Sequence, residues 1–282
     1  MSQATGPRPL EEPRKTGDHR LDALARVLAI VDRLRAPDGC PWDREQTVTS
    51  MAPSLVEEAH EAVEAIDLED DGETAAELGD LFMVIALVAK IAEQEGGRFD
   101  LARVANAVAD KLIRRHPHVF GEVVVDSAGQ ALANWEKIKE GERRSEKKDA
   151  SALAGVPVAL PALQRASRVS AKAISAGFKW DDAAGALAKV HEEVRELERA
   201  FQEREHAPER VEQELGDVLL ATAFLAQYLG LDPEKATREA LRRFEARFRN
   251  MEARLGDRLR SSTLAEMMAA WEQAKHETAR AR

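Results

Sequence analysis

The chain has 282 residues, of which 44% are hydrophobic, 5% aromatic and 33% charged, and its formal net charge is −10 at pH 7. A sequence poor in aromatic residues and rich in Ala, Leu, Glu and Arg favours helices. The negative charge argues against a nucleic-acid partner, and no apolar run approaches the roughly 20 residues of a membrane-spanning helix. A single cysteine, Cys40, permits no intramolecular disulfide and predicts a reducing, cytoplasmic location.

Helical patterns follow one another along the chain after a polar N-terminus. Residues 1–20, rich in Pro, Arg and Glu, are predicted to form a disordered tail. From Leu21 apolar residues recur at i, i+3 and i+7, and this helix ends before the Pro- and Gly-containing loop 36–41. Three further helices are predicted, over 54–66, 73–95 and 101–115. No segment shows sustained period-two alternation, so no sheet is predicted.

An internal repeat with offsets of 132–138 residues runs through the chain. Five motifs of the first half recur in the same order in the second, and all four tryptophans fall within them. The paired motifs begin at Trp42 and Trp180, Glu57 and Glu192, Glu77 and Glu214, Lys111 and Arg243, and Trp135 and Trp271. The predicted fold is therefore all-α, with tandem homologous helical-bundle domains over 21–140 and 157–282 and a charged linker over 141–156.

Each half carries two pairs of carboxylates at i, i+3 spacing, which places both members of a pair on one helix face. The pairs are Glu58 with Glu61 and Glu77 with Asp80, then Glu193 with Glu196 and Glu214 with Asp217. Antiparallel packing of the two helices, which a short connection favours, brings four carboxylates across one groove. This surplus of negative charge predicts Mg²⁺, with Mn²⁺ as a substitute, because a hard cation takes oxygen ligands and keeps waters for a phosphate substrate.

Two alternatives account for these carboxylates without magnesium. A lone EExxE segment is usually a solvated helix face, but both pairs are repeated, and apolar runs directly follow Asp80 and Asp217. Glu57-x-x-His60 matches the Glu-x-x-His element of di-iron bundles. The second half has Arg195 in place of that histidine, so we interpret the match as accidental.

A glycine precedes each aspartate of the repeat. Gly79 and Gly216 lie inside predicted helices, where glycine costs about 1 kcal/mol relative to alanine. Their repetition indicates either close helix approach or room for a ligand.

Magnesium–carboxylate sites commonly act on phosphoric anhydrides, which also need nearby cations and a slot for the base. The second half offers cations and an aromatic residue at helical spacing, namely Lys189, Arg210, Arg243, Arg247, Trp271 and Lys275. At the positions of Lys189 and Arg210 the first half has Ser54 and Glu73. The second half is therefore predicted to hold the main active site.

In these features the sequence resembles the long, two-domain form of the MazG nucleoside triphosphate pyrophosphohydrolases. The resemblance extends from about Leu21 to Lys275. It is carried by EExxE followed by ExxD in both halves and by Gly-Cys-Pro-Trp-Asp at 39–43, Arg-Arg-His-Pro-His-Val-Phe at 114–120, Trp-Glu-x-x-Lys at 135–139, Gly-Phe-x-Trp-Asp at 177–181 and Arg-Phe-Glu-x-Arg-Phe at 243–248.

The resemblance implies an intertwined homodimer and Mg²⁺-dependent cleavage of ribo- and deoxynucleoside triphosphates between the α- and β-phosphates. The products would be a monophosphate and pyrophosphate, and the role would be nucleotide-pool cleaning. The implied metal ligands are Glu193, Glu196, Glu214 and Asp217, and the implied nucleotide contacts are Lys189, Arg210, Arg243, Arg247, Trp271 and Lys275. Glu192, Glu193 and Lys189 are the expected catalytic residues, Glu192 by orienting or deprotonating the attacking water.

The chemistry leaves two alternatives open. One is an enzyme of narrower scope, specific for dUTP or a modified nucleotide. The other is a non-catalytic helical dimer that senses nucleotides or binds a protein partner.

Overall fold

The computed structural model describes residues 12–145 and 151–280. Within these two ranges the chain forms α-helices and one 3₁₀ helix and contains no strand, so the predicted all-α fold is confirmed. Residues 1–11 of the predicted tail and residues 146–150 of the predicted linker lie outside the described residues.

Two compact units divide the chain, Met1–Lys139 and Glu140–Arg282. The division falls inside a helix, because α7 continues through residue 145. The helices of the first half are α1 His19–Leu34, α2 Pro41–Glu45, α3 Ala52–Asp67, α4 Asp71–Gln94, α5 Leu101–Arg115, α6 Pro117–Phe120 and α7 Ala128–Ser145. Those of the second half are α8 Ala162–Ser175, α9 Ala183–Gln202, α10 Pro208–Tyr228, α11 Pro233–Leu255, the 3₁₀ helix Gly256–Ser261 and α12 Leu264–Arg280.

A helical hairpin of α3 and α4 forms the centre of the first unit. Asp70 caps α4 by accepting hydrogen bonds from the backbone N–H groups of Gly72 and Glu73, both at 3.0 Å. The three-residue connection makes the two helices antiparallel. Their apolar sides pack with α1 in a core that includes Val31, Leu87 and Ile91. This core holds α3 and α4 side by side, including the segments of the two helices that carry the predicted carboxylates.

The second unit repeats this hairpin with α9 and α10. Asp182 caps α9 by accepting a hydrogen bond from the N–H of Gly185 at 2.9 Å, and Pro208 begins α10. The Tyr228 hydroxyl accepts a hydrogen bond from the N–H of Trp180 at 2.6 Å and lies 3.0 Å from its carbonyl oxygen. This contact ties the end of α10 to the segment that precedes α9.

The last two long helices form a second hairpin. Gly256 ends α11 at φ +53°, a backbone conformation that favours glycine, and the 3₁₀ helix then leads into α12. Met251 and Leu255 pack against Ala270, and Trp271 borders this cluster. Trp271 is thereby held against α11.

The structure also tests the membrane prediction in part. No single helix in the described ranges is long and apolar enough to cross a membrane, although Pro208–Tyr228 and Pro233–Ser261, bent by 108°, meet the length and composition requirement jointly.

Candidate metal and nucleotide site

Three carboxylates meet where α9 and α10 lie side by side. Glu193 and Glu196 leave α9 one turn apart, and Glu214 faces them from α10. One oxygen of each carboxylate lies within 4.8 Å of the others. Glu193 is only 7% exposed, which is unusual for a glutamate and requires a cationic partner. The oxygen-only donor set fits a hard divalent cation.

The first unit builds the same group from α3 and α4. Oxygens of Glu58, Glu61 and Glu77 lie within 4.8 Å of one another. The structure therefore brings together three of the four carboxylates predicted in each unit. The fourth, Asp80 or Asp217, lies outside these groups, and both aspartates are exposed. Their assignment as metal ligands stays a prediction.

Like charges surround the first group. Desolvation raises the pKa of Glu58 above its ordinary value, and the nearby charges of Glu61, Asp80 and Glu57 raise it further. Desolvation also raises the pKa of Glu77, with Glu61 as the largest charge contribution. Asp80 is thus close enough to act electrostatically, although it lies outside the tight group. A divalent cation would relieve this repulsion.

Basic side chains hold two carboxylates of the second group. The Nζ atom of Lys189 lies 2.6 Å from Oε1 of Glu193 and donates a hydrogen bond to Oε1 of Glu192 at 2.8 Å. These bonds raise the pKa of Lys189, and the bond to Glu192 lowers the pKa of that carboxyl. Arg199 donates a hydrogen bond to Oε1 of Glu196 at 2.9 Å. Sequence reasoning missed Arg199, although its i+3 spacing from Glu196 was a usable signal.

The remaining predicted nucleotide residues lie on other elements. Arg210, in the first turn of α10, is exposed and donates a hydrogen bond to Oε2 of Glu203 at 2.7 Å. Arg243 and Arg247 lie one turn apart on α11, and Lys275, on α12, lies 3.5 Å from Oε2 of Glu272. The charge pairs of Arg210 and Lys275 are solvent-exposed, so each contributes little to stability.

An aromatic contact joins α11 to α12. The Trp271 ring lies 5.1 Å from that of Phe244, which in turn stacks on Phe248 at 5.9 Å. On the same helix the Nε atom of Arg247 is buried and has no hydrogen-bond partner among the described residues. A buried donor without an acceptor costs free energy, which the side chain would recover by turning towards an anionic ligand. Phe244 was not predicted, although it follows Arg243 in the repeated motif.

The corresponding tryptophan of the first unit has cations on its ring. The Arg115 guanidinium lies 5.6 Å and the Lys139 ammonium 4.5 Å from the Trp135 ring centroid. The repeat is therefore preserved here in residue type, while the ring contacts differ between the units.

Among the described residues of the chain, no other helix closely approaches the glycines beside the aspartates. A Cβ atom placed on Gly79 or Gly216 would meet nothing within 4 Å. Within the described residues the space beside each glycine is open, as the prediction of room for a ligand requires.

Comparison with known proteins places this geometry in a family. A profile of the MazG nucleotide pyrophosphohydrolase domain matches residues 46–120 and 183–259. The chain belongs to the MazG family. Each matched segment contains one of the carboxylate groups, so the predicted tandem repeat is confirmed. Trp271 and Lys275 lie beyond the second matched segment.

Relatives extend the MazG similarity to almost the whole chain. The nucleoside triphosphate pyrophosphohydrolase of Escherichia coli strain K12 is 39% identical over 261 residues, which cover 91% of this chain and 98% of the relative. The nucleoside triphosphate pyrophosphohydrolase/pyrophosphatase MazG of Thermotoga maritima is 39% identical over 252 residues, or 88% and 94% of the two chains. The nucleoside triphosphate pyrophosphohydrolase of Mycobacterium tuberculosis is 34% identical over 177 residues, which cover only 62% of this chain and 51% of the relative.

Proposed function

We propose that this MazG protein hydrolyses ribo- and deoxynucleoside triphosphates between the α- and β-phosphates. The products are a nucleoside monophosphate and pyrophosphate, and the role is to clear the nucleotide pool. The observation that carries the proposal is a group of three facing carboxylates inside each segment that matches a pyrophosphohydrolase domain. The names of the relatives that cover most of the chain support the same reaction.

Glu193, Glu196 and Glu214 would hold Mg²⁺ in the second unit, with Asp217 as a fourth ligand. Glu58, Glu61, Glu77 and Asp80 would do so in the first. The donor chemistry supports this assignment, because all ligands are carboxylate oxygens and Mn²⁺ accepts the same set. When bound, Mg²⁺ neutralises phosphate oxygens and makes bound water more acidic.

The phosphates would be held by basic side chains of the second unit, namely Lys189, Arg210, Arg243, Arg247 and Lys275. Arg247 is supported most directly, because its buried Nε donor lacks an acceptor. Trp271, already in contact with one aromatic ring, would pack against the base. Arg210 and Lys275 would exchange an exposed carboxylate partner for a phosphate.

Glu192 would act on the attacking water. Lys189 keeps the pKa of Glu192 below its ordinary value, so the carboxylate is ionised at neutral pH and accepts a hydrogen bond from water. A lowered pKa also makes it a weaker base, which favours orientation over proton abstraction as its main role. The water oxygen bonds to the α-phosphorus, the bond to the bridging oxygen breaks, and pyrophosphate leaves with the electron pair. The proton that the water loses passes to the solvent or to the leaving pyrophosphate.

The second unit would be the main catalyst. Lys189 and Arg210 have no basic counterpart in the first unit, which carries Ser54 and Glu73 at those positions. Without these cations the first unit lacks part of the charge that stabilises a leaving pyrophosphate.

The partner of the protein would be a second copy of the chain. Val104, Val108 and Leu112 form a stripe at i, i+4 and i+8 on α5, and all three are exposed. Burying such a stripe against a second copy would supply free energy for the predicted intertwined homodimer. A cytoplasmic location without nucleic-acid or membrane partners is in keeping with the net charge of −10 and the single cysteine. Sedimentation equilibrium of the full chain tests the dimer.

The reaction is tested by incubating the full chain and Mg²⁺ with each of the eight common ribo- and deoxynucleoside triphosphates. Monophosphate and pyrophosphate from several of them are the expected products. Release of orthophosphate and a diphosphate would contradict the proposal. Turnover of a single nucleotide would favour the narrower enzyme, and binding without any turnover would favour the nucleotide-sensing alternative.

A further inference from the structure

Two cations already occupy the carboxylate group of the second unit. Lys189 lies 2.6 Å from Glu193, one turn away on α9, and Arg199 lies 2.9 Å from Glu196. Both carboxylates belong to the group of three whose oxygens lie within 4.8 Å of one another. The chain itself thus neutralises part of this group.

The first unit carries neither cation. The repeat offset of 135 residues that relates Glu58 to Glu193 also relates Ser54 to Lys189 and Glu64 to Arg199. One position therefore has an uncharged residue in place of a cation, and the other has an additional carboxylate. Because the spacing of the three central carboxylates is retained in both units, the two groups differ chiefly in the charges around them.

Lys189 is the more effective of the two cations. Its partner Glu193 is 7% exposed, so the charges attract each other through a poorly solvated region. The Arg199 side chain is 66% exposed and its partner Glu196 36%, and solvent screens such a pair strongly. A metal ion that approaches the second group must therefore compete mainly with the ammonium group of Lys189.

We propose that Lys189 is an internal counter-cation, so that without substrate the second unit binds a divalent cation more weakly than the first. In the second unit the metal enters together with a triphosphate, whose oxygens draw the Lys189 ammonium away from Glu193. In the first unit Ser54 offers no competing charge, and the metal binds without a nucleotide. Lys189 is thus a positioning residue for the metal as well as a phosphate contact. The ligand sets and the triphosphate contact rest on the proposed function, whereas the difference in metal affinity is measured without a nucleotide.

The test is a Mn²⁺ titration of the nucleotide-free full chain, with free Mn²⁺ measured by electron paramagnetic resonance. We expect a tight and a weak class of sites. Glu61→Gln should remove the tight class and Glu196→Gln the weak one. Equal affinities in the wild-type chain, or the opposite assignment of the classes, would overturn the proposal.

Two further variants test the proposal, one that removes the cation from the second unit and one that introduces a cation into the first. Lys189→Met should tighten the weak class by about five- to tenfold, the change expected on losing one partly buried competitor. Ser54→Lys should weaken the tight class by a similar factor, and it stays informative if Lys189→Met perturbs folding. Arg195→Met is the matched control, because Arg195 is an exposed cation on α9 that acts through its charge on Glu192 but, among the described residues, forms no ion pair with the three central carboxylates. Unchanged affinities in both lysine variants, or an equal effect of Arg195→Met, would contradict the assignment.

The triphosphate step has its own measurement. Adding α,β-methylene-dATP, which resists cleavage between these phosphates, should tighten the weak class in the wild-type chain and much less in Lys189→Met. An equal effect in both would contradict the role of Lys189 in coupled binding. Pyrophosphate release by the wild-type chain is measured in parallel. If there were no turnover but two classes of metal site with different affinities, the proposed function would be refuted and the role of Lys189 as a counter-cation would still hold.

Discussion

The ammonium nitrogen of Lys189 lies 2.6 Å from Oε1 of Glu193, and the corresponding pair in the first unit is Ser54 and Glu58. The two copies of one helical hairpin therefore differ in the charges around their carboxylates. Desolvation and repulsion raise the pKa of Glu58, whereas Lys189, through its hydrogen bond, lowers the pKa of Glu192, the neighbour of Glu193. Substitutions made in pairs, one in each unit, separate the chemistry of a site from the stability of the fold.

Glu214→Gln should lower kcat for nucleoside triphosphates by about 100-fold or more, because it removes one carboxylate from the group of three. The matched substitution Glu77→Gln should retain most of the turnover. Steady-state pyrophosphate release at saturating nucleotide measures both. Equal losses in the two variants would contradict the assignment of the main active site to the second unit.

The aspartates provide a separate prediction, since the structure leaves both exposed and outside the groups of three. Asp217→Asn should reduce turnover by about 100-fold if Asp217 joins the metal ligands when substrate binds. Asp80→Asn should leave turnover within about twofold of the wild type. Near-normal turnover of Asp217→Asn would limit the ligand set to the three glutamates.

Replacing Gly79 or Gly216 with alanine should affect the stability of the fold and the activity of the enzyme differently. Gly79→Ala and Gly216→Ala should each stabilise their helix by about 1 kcal/mol, because the new Cβ atom meets nothing within 4 Å. Urea denaturation followed by circular dichroism measures this gain. If the space beside Gly216 receives the nucleotide, Gly216→Ala should also raise KM while Gly79→Ala does not. Equal KM values would show that this space is not used.

Apolar patterning predicted the four long helices α1, α3, α4 and α5, whereas no bounds were predicted for α7 or for the helices of the second half. The predicted bounds of α5 agree with the structure, whereas α3 and α4 each begin two residues earlier than predicted. Proline in the first turn of α3 and the Asp70 cap of α4 account for those earlier starts. The short helices α2 and α6 were not predicted, because four or five residues are too few for a periodic pattern.

Spacing along a helix predicted which carboxylates share a face, but not how far each one reaches. Glu77 and Asp80 are one turn apart on α4, yet only Glu77 joins the group of three. The aspartate side chain is one methylene shorter, and the rotation of α4 against α3 depends on core packing that spacing does not encode. The Lys189 contact with Glu193 likewise depends on rotamers that the sequence leaves open.

The pH dependence of stability should have opposite signs at Glu77 of the first unit and Glu192 of the second. The folded-state pKa of Glu77 lies above its ordinary value of 4.5, so the folded chain binds this proton more tightly than the unfolded chain does. The contribution of Glu77 to stability is then fully present below pH 4.5 and is lost as the pH rises through the folded-state pKa. Glu77→Gln should therefore have no stabilising effect at acidic pH and a growing one towards neutrality.

Glu192 provides the opposite case. Its folded-state pKa is lowered by Lys189, so its stabilising contribution is present above the ordinary value of 4.5 and is lost as the pH falls through the folded-state pKa. Glu192→Gln should destabilise the chain at neutral pH and much less in acid. Denaturant titrations of both variants across this range, without divalent cations, measure the two trends. If stability changed with pH in the same direction in both variants, the opposite pKa shifts assigned to Glu77 and Glu192 would be contradicted.

Arg247 should contribute to substrate binding through its buried Nε donor, which has no acceptor among the described residues. Arg247→Met should raise KM by about 10- to 100-fold, the range expected on losing a charge-assisted hydrogen bond to phosphate. Arg249→Met is the control, because Arg249 lies on the same helix with its side chain exposed and only a long contact to Glu245, at 3.5 Å. Equal KM values for the two variants would place the nucleotide away from α11, whereas a selective effect of Arg247→Met, with the helical circular dichroism signal unchanged, would place a phosphate beside it.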